Sequence, residues 1–554
     1  MSGEKQYSAP HPHFNRNSHV AKAVMFVGTS SNVGKSILTT ALCRILAQDG
    51  YRVAPFKAQN MSLNSAVTPS GREIGRAQAV QAEAAGILAN EHMNPVLLKP
   101  TAGRTQVIVQ GRVWDTVSAK EYFLAGKDKL WPYVVESYQF LSSRWDVVVL
   151  EGAGSPVEMN LKSRDIANMR AAELANASVF LVTDIDRGGI FAAIVGTLQL
   201  LTPAERNLVK GIVVNKFRGD KELFVEGVRM LESYTGLPVV GVIPHLGDLG
   251  IDEEDSVGLD NPRYRLPQGA GGHLGDHVVE DPLAEGPAVE ASERAGQGQG
   301  GIRVAILKLP HLANFTDLDP LFLEPGVEPY FATEPAQLAG ADGIILPGTK
   351  STMSDLEWLF TQGWQKEIQH LVANRKHVLG ICGGYQMLGR AVQDPHHQES
   401  QWDERAGLDL FPALTEILPE KRTVLSEGVL QGPFSGLEVK GYEIHMGETT
   451  FIGADVPLPF AVLRGEEAAQ SRPDGAIAKN GRVIGTYLHG ILHNDAFRTA
   501  WLNGIRRDKG QSPQPVRVLA AQVRTQAYDR LATAVRSHLN MDLFYQLSGF
   551  NRKS

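Results

Sequence analysis

Residues 376–388, KHVLGICGGYQML, have the pattern of a strand, a sharp turn and the start of a helix. The apolar run 378–381 leads into GICGG at 380–384, which puts Cys382 on the turn. Glycines two positions to either side permit the strained backbone that lifts a side chain clear of a sheet, and the helix N-terminus behind it favours negative charge. The stretch therefore predicts a nucleophilic cysteine in an α/β domain.

A thiolate nucleophile needs a base, and a histidine follows a second apolar run. Residues 482–488 are predicted to form a strand, and GTYLHG at 485–490 places His489 at its end. About a hundred residues separate His489 from Cys382, which is usual for sites that are assembled by folding. A cysteine in apolar surroundings is more often buried for packing alone, but the flanking glycines and the strand-end histidine favour a catalytic pair.

The segment resembles the class I, or triad, glutamine amidotransferases, whose nucleophile lies in a G-x-C-x-G turn. Residues 346–352, LPGTKST, resemble the oxyanion loop of that family, which implies that Gly348 and Gly383 donate backbone N–H groups to the oxyanion. The family's third catalytic residue is usually a glutamate two positions after the histidine, and Ile491 stands there in this chain. The third role is therefore unassigned: another group orients His489, or packing alone does.

A chain of 554 residues is expected to form two or three domains. The charged fraction of 21% and the formal net charge of -7 indicate a globular protein without the basic excess of a nucleic-acid binder. The apolar runs are too short to span a bilayer, and residues 1–22 lack the apolar core of a secretory signal. Cys43 and Cys382 are the only cysteines, which favours a reducing cytoplasm over a disulfide framework.

A phosphate-binding loop is predicted near the start of the chain. An apolar strand at 23–27 precedes GTSSNVGKS at 28–36, and apolar residues at helical spacing follow. In such a loop backbone N–H groups and the lysine surround a polyphosphate, while the serine hydroxyl binds Mg²⁺. The expected ATP ligands are Gly28, Thr29, Gly34, Lys35 and Ser36. The spacing is one residue longer than usual, and the alternative is a glycine-rich turn with an incidental lysine.

Further predicted strands end in polar residues that would meet at one edge of a parallel sheet. These strands are expected at 52–56, 145–150, 178–183, 210–214 and 239–243. Glu151 follows the second of them as a further Mg²⁺ ligand or as a carboxylate that orients water. The remaining candidates are Asp184 and Asp186 as metal or acid groups, Arg187 as a phosphate or carboxylate ligand, and Asn215 and Lys216 as contacts to the nucleotide base.

Strands that alternate with helices predict a doubly wound parallel sheet. GTSSNVGKS and EGAGS (151–155) resemble the dethiobiotin-synthetase-like branch of P-loop proteins over about residues 23–250. The resemblance implies that ATP with Mg²⁺ activates a carboxylate, which is then joined to nitrogen, without a tightly bound prosthetic group. The polar run 57–65 is either part of the ligand crevice or a solvated loop, and residues 72–89 are expected to form an alanine-rich helix.

The second half of the chain has an α/β pattern of its own, with strands expected at 302–308 and 341–346 and a terminal helix at 529–547. Residues 258–300, rich in Gly, Pro, Glu and Ala, are expected to be a flexible linker because they cannot bury enough apolar surface to offset their ordering entropy. The expected divisions are a disordered tail at 1–22, an ATP-dependent amidoligase domain at 23–257, this linker, and a glutamine amidotransferase domain at 301–554.

Two polar stretches of the second half allow more than one interpretation. In GYEIHMG at 441–447, Glu443 and His445 either serve the active site or merely satisfy each other. Residues 391–405 are expected to form a surface loop, in which the adjacent His396 and His397 are solvated rather than bound to a metal.

The order of the two modules resembles the cobalamin-pathway glutamine amidotransferases. Within that group, five stretches are similar to the branch that makes the later amidations: FKAQNMSLNS (56–65), DIDRGGIFA (184–192), NKFRGD (215–220), LPGTKST and GYEIHMG. The sister enzyme, cobyrinic acid a,c-diamide synthase, carries a different segment after the second strand. The resemblance implies ATP- and glutamine-dependent amidation of the b, d, e and g carboxylates of adenosylcobyrinic acid a,c-diamide. The implied partners are small molecules, namely glutamine, ATP and a corrinoid acid, with no nucleic acid and no membrane.

Three alternatives stay open. One is an amidoligase of the same architecture that acts on another acid, such as the substrate of the a,c-diamide synthase. A second is a ParA-like nucleotide switch with a regulatory second domain, which leaves the placement of Cys382 and His489 unexplained. The third is an inactive glutaminase, marked by the absent glutamate, that uses external ammonia. For an active enzyme we expect a shielded path between the two sites, because free ammonia would be protonated and lost to solvent.

Overall fold

The computed structural model describes residues 20–101, 104–122, 127–247, 249–251, 300–464 and 471–550. These residues form two α/β domains. The predicted tail, apart from residues 20–22, and the predicted linker, apart from residue 300, lie outside the described residues. Within the described ranges, no helix has both the length and the apolar character to cross a membrane.

The first domain carries its strands and helices in alternation. Its strands are β1 (Lys22–Gly28), β2 (Val53–Phe56), β3 (Gln59–Met61), β4 (Ser65–Val67), β5 (Glu73–Gly75), β6 (Val96–Thr101), β7 (Arg104–Val109), β8 (Arg112–Ser118), β9 (Val147–Glu151), β10 (Ser178–Asp184), β11 (Val209–Phe217) and β12 (Val239–Pro244). Its helices are α1 (Lys35–Gln48), α2 (Arg76–Ala84), α3 (Ala119–Glu121), α4 (Lys127–Ser142), α5 (Met169–Ala175), α6 (Ile190–Leu200), α7 (Pro203–Leu208) and α8 (Val225–Thr235).

The central sheet of this domain is parallel, in the order β12-β11-β10-β1-β9-β2. Hydrophobic clusters cover both faces, as the long apolar strands require when helices pack on each side. The predicted doubly wound fold is confirmed. Because β1, β9, β10 and β11 are neighbours or near neighbours, the polar residues after them share one edge of the sheet.

A smaller antiparallel region departs from the predictions. The expected helix at 72–89 is wrong at both ends: residues 73–75 form β5, paired with β4, and the helix stops at Ala84 before Gly86 adopts a left-handed φ of 73°. Strand pairing overrides the local helix propensity there. Residues 57–65 are not a solvated loop, since Lys57, Asn60, Ser62, Asn64 and Ser65 are buried.

The second domain contains two six-stranded sheets among its described residues. Its strands are β13 (Ile302–Leu307), β14 (Val327–Ala332), β15 (Gly343–Leu346), β16 (His377–Ile381), β17 (Ala391–Gln393), β18 (Glu404–Ala406), β19 (Ala413–Leu430), β20 (Glu438–Phe451), β21 (Ala461–Arg464), β22 (Ser471–Asp474), β23 (Ala476–Ala478) and β24 (Val483–Thr486). Its helices are α9 (Asp319–Phe322), α10 (Thr352–Thr361), α11 (Trp364–Ala373), α12 (Gly383–Leu388) and α13 (Asp495–Asp508).

The main sheet runs β14-β13-β15-β16-β24-β23, parallel except for the edge pair β23 and β24. This order brings the ends of β13, β15, β16 and β24 together. The predicted surface loop at 391–405 is only partly correct, because its ends form β17 and β18 and Asp394 is fully buried. His396 and His397 are exposed, as expected.

The end of the described chain returns to the first domain. The expected single helix at 529–547 is two helices, α14 (Ala520–Arg536) and α15 (Met541–Ser548). The sequence analysis places this segment in the second domain, but the two helices pack on the first domain: Phe544 stacks on Phe180 at 4.8 Å between ring centroids, and Tyr528 joins the same core. Arg536 pairs with Asp49 at the end of α1.

Candidate active site

Cys382 lies on a strained turn between β16 and α12. Its φ of 53° and ψ of -110° fall outside the regions that ordinary side chains prefer, as expected for a nucleophile turn. Glycine is required close by, because a Cβ at Gly384 would lie 1.9 Å from the carbonyl oxygen of Leu346. The thiol is buried, but it faces a cavity rather than hydrocarbon packing alone, and its Sγ is 3.6 Å from the carbonyl oxygen of Ile444.

The predicted base lies beside the nucleophile. His489 and Cys382 line the same cavity, and the ring of His489 stacks on Tyr442 with centroids 5.1 Å apart. The Nδ1 atom of His489 is 2.6 Å from Oδ2 of Asp317. Burial alone would lower the pKa of His489, but the Asp317 carboxylate and the Cys382 sulfur outweigh burial and raise that pKa to about 10. The arrangement therefore favours the protonated imidazolium form of His489.

Asp317 occupies the place that sequence reasoning left unassigned. Its second oxygen accepts a hydrogen bond of 3.0 Å from the backbone N–H of Gly490. Ile491, at the position of the usual glutamate, is fully buried among apolar residues. The sequence feature that could have indicated Asp317 is the polar stretch NFTDLD at 314–319, which follows the first strand of the domain. Strand order alone brings that stretch to His489.

The two predicted oxyanion glycines lie against the catalytic pair. A Cβ at Gly348 would be 2.9 Å from Cε1 of His489, and one at Gly383 would be 2.5 Å from Cγ2 of Thr349. The loop after β15 and the turn after β16 therefore pack so closely that neither position has room for a side chain. Their roles as N–H donors stay predictions.

A residue that sequence reasoning missed joins this site to the first domain. The Oδ1 atom of Asn314 accepts a 2.8 Å hydrogen bond from the backbone N–H of Ser65. The same contact turns its Nδ2 atom toward Nε2 of His489, at 3.4 Å. One buried side chain thus connects the first domain to His489.

The cavity beside Cys382 lies at the interface between the domains. Lysines from both domains line it: Lys99 from the first, Lys350 and Lys421 from the second. Glu73 of β5 lies between Lys99 and Lys421 and bonds to both. Burial by itself would raise the pKa of Glu73, but the two ammonium groups lower it below its ordinary value.

Glu443 and His445 satisfy each other, and His445 also borders the site. The two side chains are 3.3 Å apart, and Glu443 further accepts from Ser426 and Arg472. Burial opposes the charge, yet His445, Ser426 and Arg472 lower the pKa of Glu443 to about 2. His445 stacks on Tyr487 at 3.9 Å and lines the cavity. The structure thus shows the mutual pairing that the sequence analysis gave as one alternative, and a role in the active site stays a prediction.

The phosphate-binding loop joins β1 to α1 as predicted. The Nζ atom of Lys35 lies across the loop, 3.3 Å from the carbonyl oxygen of Ser30 and 3.2 Å from that of Gly154. Gly34 has a left-handed φ of 95°, and a Cβ there would lie 2.2 Å from Nδ2 of Asn215. Glycine is therefore needed at this position for both conformation and space.

Glu151 reaches the same loop from the end of β9. One of its oxygens is 2.8 Å from the Ser36 hydroxyl and 2.8 Å from the Lys57 ammonium, and the other is 2.6 Å from Nε2 of Gln81. A hydroxyl and a carboxylate side by side are the hard oxygen ligands that suit Mg²⁺. The residues present thus fit the ion that the sequence analysis expected at Ser36 and Glu151.

The remaining predicted nucleotide residues lie around this loop. Asn215 and Lys216 donate to the backbone carbonyl oxygens of Val33 and Asn32, at 2.8 and 2.7 Å, and thereby support the loop itself. Asp184, which is buried, pairs with Lys216 at 2.9 Å and with Arg187 at 3.5 Å. Asp186, by contrast, is half-exposed and pairs with Arg218.

Comparison with known proteins assigns each domain to a family. Residues 24–256 match the CobQ/CobB/MinD/ParA nucleotide binding domain, and residues 303–497 match the CobB/CobQ-like glutamine amidotransferase domain. The second match ends before α14, where the chain returns to the first domain.

Several relatives match this chain over nearly its whole length. A protein named cobyric acid synthase from Caldanaerobacter subterraneus is 45% identical to this chain, over 95% of the chain and 99% of the relative. The protein of that name from Geobacillus thermodenitrificans is 44% identical, over 95% of the chain and 97% of the relative. The protein of that name from Moorella thermoacetica is 44% identical over 96% of this chain and 98% of its own length. The chain therefore belongs to the cobyric acid synthase family.

Proposed function

We propose that this enzyme uses ATP and glutamine to amidate the b, d, e and g carboxylates of adenosylcobyrinic acid a,c-diamide, which gives adenosylcobyric acid. The single observation that carries the proposal is the Cys382, His489 and Asp317 arrangement, which opens on a cavity at the boundary with a phosphate-binding domain. The names of the relatives support this branch over the a,c-diamide synthase.

The second domain releases ammonia from glutamine. The thiolate of Cys382 attacks the carboxamide carbon, and the imidazolium of His489 protonates the leaving ammonia. The backbone N–H groups of Gly348 and Gly383 stabilise the oxyanion of the tetrahedral intermediate. Water then hydrolyses the thioester, with His489 as the base. Asp317 holds the imidazole in the tautomer that this proton transfer requires.

The first domain prepares the acid. Backbone N–H groups of the loop, among them those of Gly28, Thr29 and Gly34, bind the phosphates of ATP together with Lys35. Mg²⁺ held by Ser36 and Glu151 would neutralise phosphate charge. The substrate carboxylate attacks the γ-phosphorus, ADP leaves, and ammonia displaces phosphate from the resulting acyl phosphate.

The geometry of the interface supports direct transfer of ammonia. Lys99 of the first domain lines the glutaminase cavity, and Ser65 of the first domain holds Asn314 beside His489. Ammonia thus forms where the two domains are already in contact. Asp317 orients the His489 imidazole in place of the absent glutamate, which argues against an inactive glutaminase.

The test combines glutamate release with mass spectrometry. We expect the enzyme with ATP, glutamine and the diamide to give four successive products, each about 1 Da lighter, since each step replaces a hydroxyl by an amino group. Cys382→Ser should release no glutamate yet complete the series with ammonium chloride. Cys43→Ala, which changes a cysteine buried on α1, is the matched control and should behave like the wild type.

Three results would contradict the proposal. Equal glutamate release by wild type and Cys382→Ser would remove the nucleophile. A series that stops before four amidations would remove the assigned substrate. ATP turnover that is indifferent to both glutamine and the acid would favour a nucleotide switch instead.

A further inference from the structure

A short strand of the first domain reaches the surroundings of His489 at two points. This strand is β4, which contributes Ser65 to one contact and Val67 to the other. Both residues are buried, and the proposed mechanism uses neither of them. Because both contacts cross the boundary between the domains, the position of β4 bears directly on the glutaminase site.

The first contact supports the edge of the imidazole. The backbone N–H of Ser65 donates to Oδ1 of Asn314 at 2.8 Å, so the NH₂ group of that amide faces Nε2 of His489 at 3.4 Å. Asn314 has a left-handed φ of 54°, which asparagine tolerates better than most residues, and its carbonyl oxygen accepts from the N–H of Asp317 at 3.0 Å. One turn thus carries the groups at both ring nitrogens, with Asp317 at Nδ1 and Asn314 at Nε2.

The second contact supports the face of the imidazole. Val67 packs with Tyr442 and Ile444 in a small apolar cluster that joins the two domains. Tyr442 stacks on His489, and the backbones of these two residues pair through N–H···O bonds of 3.2 and 2.8 Å. A displacement of β4 would therefore move the supports of the ring edge and of the ring face together.

Hydrogen bonds also connect β4 to the phosphate-binding loop. β4 pairs with β5, in which the N–H of Gly75 donates to Oδ1 of Asn94 at 3.1 Å. Asn94 donates at 3.1 Å to the carbonyl oxygen of Lys57, whose ammonium group is 2.8 Å from Glu151. Glu151 in turn accepts from the hydroxyl of Ser36 in the loop at 2.8 Å. A change at the loop can thus reach β4 through direct contacts.

We propose that β4 positions the imidazole of His489, through Asn314 at its edge and Tyr442 at its face, and that glutamine hydrolysis thereby responds to ATP at the phosphate-binding loop. The inference rests on the proposed function, because it names a regulation of that glutaminase. Asn314 and Tyr442 are positioning residues, since they act through His489. A small movement is sufficient, because a displacement of about 1 Å in a catalytic group can cost about a hundredfold in rate.

The test measures kcat and KM for glutamine hydrolysis by the full chain, with and without ATP and the diamide. In the wild type, ATP with the diamide should raise kcat at least about fivefold, the lower end of the coupling usually found between two sites. Val67→Ala and Asn314→Ala should each lower that factor at least about twofold, the effect of a weak contact, and leave KM for glutamine within about twofold. Val67 is the more decisive change, because it lies in the other domain and is not among the residues that line the cavity beside Cys382.

Variants of similar size serve as controls. Val113→Ala changes an exposed valine on β8 of the same domain and should keep the wild-type factor. Tyr442→Phe keeps the ring that stacks on His489, whereas Tyr442→Leu does not, so the phenylalanine variant should retain most of the kcat that the leucine variant loses. Synthesis with ammonium chloride should persist in every variant, which shows that the chain is folded.

The outcomes separate this inference from the function on which it rests. A wild type that completes four amidations while its glutamate release ignores ATP and the diamide would overturn the inference and leave the proposed function standing. A wild type that releases no glutamate would remove the proposed function first. If Val67→Ala lowers kcat equally with and without ATP, or not at all, β4 is only a structural contact. A rise in KM alone in Asn314→Ala would assign that residue to substrate binding and would also overturn the inference.

Discussion

Replacement of Asp317 by asparagine tests the part of the active site that the structure adds to the sequence. The carboxylate accepts two hydrogen bonds, 2.6 Å from Nδ1 of His489 and 3.0 Å from the N–H of Gly490. Asparagine keeps the shape but has one accepting oxygen, so its NH₂ group must face one of these two donors. The variant therefore loses the negative charge and leaves a buried N–H without an acceptor.

The expected loss follows from these contacts. A hydrogen bond to a charged group contributes about 1.5–3 kcal/mol, which corresponds to a loss of about ten- to a hundredfold in the rate of glutamine hydrolysis. The pKa of His489 should also fall, because the Asp317 carboxylate is the first of the groups that raise it. Less of the His489 imidazolium would then be present at neutral pH.

The assay is glutamate release under saturating glutamine, with ammonium-dependent amidation measured in parallel. Asp342→Asn is the matched control: this carboxylate is also buried and pairs with Lys509 at 2.6 Å, but it precedes β15, at the other end of the strands from Cys382. We expect only Asp317→Asn to lose glutamine hydrolysis while both variants keep ammonium-dependent synthesis. A variant at 317 that retains more than half of the wild-type glutamate release would refute the role of this carboxylate.

Three further predictions follow from contacts described above. Lys35→Ala should lower ATP-dependent amidation at least about a hundredfold, because it removes the cation of the phosphate loop. Basal glutamate release should persist. Assays of ADP and glutamate on one sample check both expectations. Phe544→Ala should lower the free energy of unfolding, measured by urea denaturation, by about 3–5 kcal/mol. Leu223→Ala, at a side chain that is 84% exposed, should change that free energy little. Equal effects of the two substitutions would contradict the packing of α15. Glu443, whose pKa is lowered from 4.5 to about 2, stabilises the fold above its ordinary pKa and loses that contribution as the pH falls. The difference in unfolding free energy between wild type and Glu443→Gln should therefore shrink from about pH 5 to about pH 3, and a difference that does not vary with pH would count against the ion pair.

The turn at Cys382, the strand end at His489 and the loop at 28–36 were predictable because local sequence determines their form. A strained turn at Cys382 and a left-handed residue at Gly34 each require glycine at a fixed spacing, and such requirements are visible in the chain itself. His489 follows from the end of an apolar strand. These predictions needed no knowledge of which strands are neighbours.

Asp317 and Asn314 were not predictable in this way. Asp317 lies 172 residues before the histidine it contacts, and only the order of β13, β15, β16 and β24 brings the two together. A polar stretch after a strand is common, so its function appears only when its neighbours are known. Glu73 shows the same limit, because its lysine partners come from two domains and its strand pairing overrides a helical pattern.

The return of α14 and α15 to the first domain has a consequence for how the protein is made. Arg44 and Asp529 hydrogen-bond across 485 residues of sequence, and Phe544 fills the core beside β1 and β10. A ribosome releases the nucleotide-binding domain first, yet that domain lacks part of its interior until the amidotransferase domain has been synthesised. We therefore expect nascent chains to gain full affinity for ATP only after the nitrogen-supplying half exists, so that unfinished chains do not hydrolyse ATP without a source of ammonia.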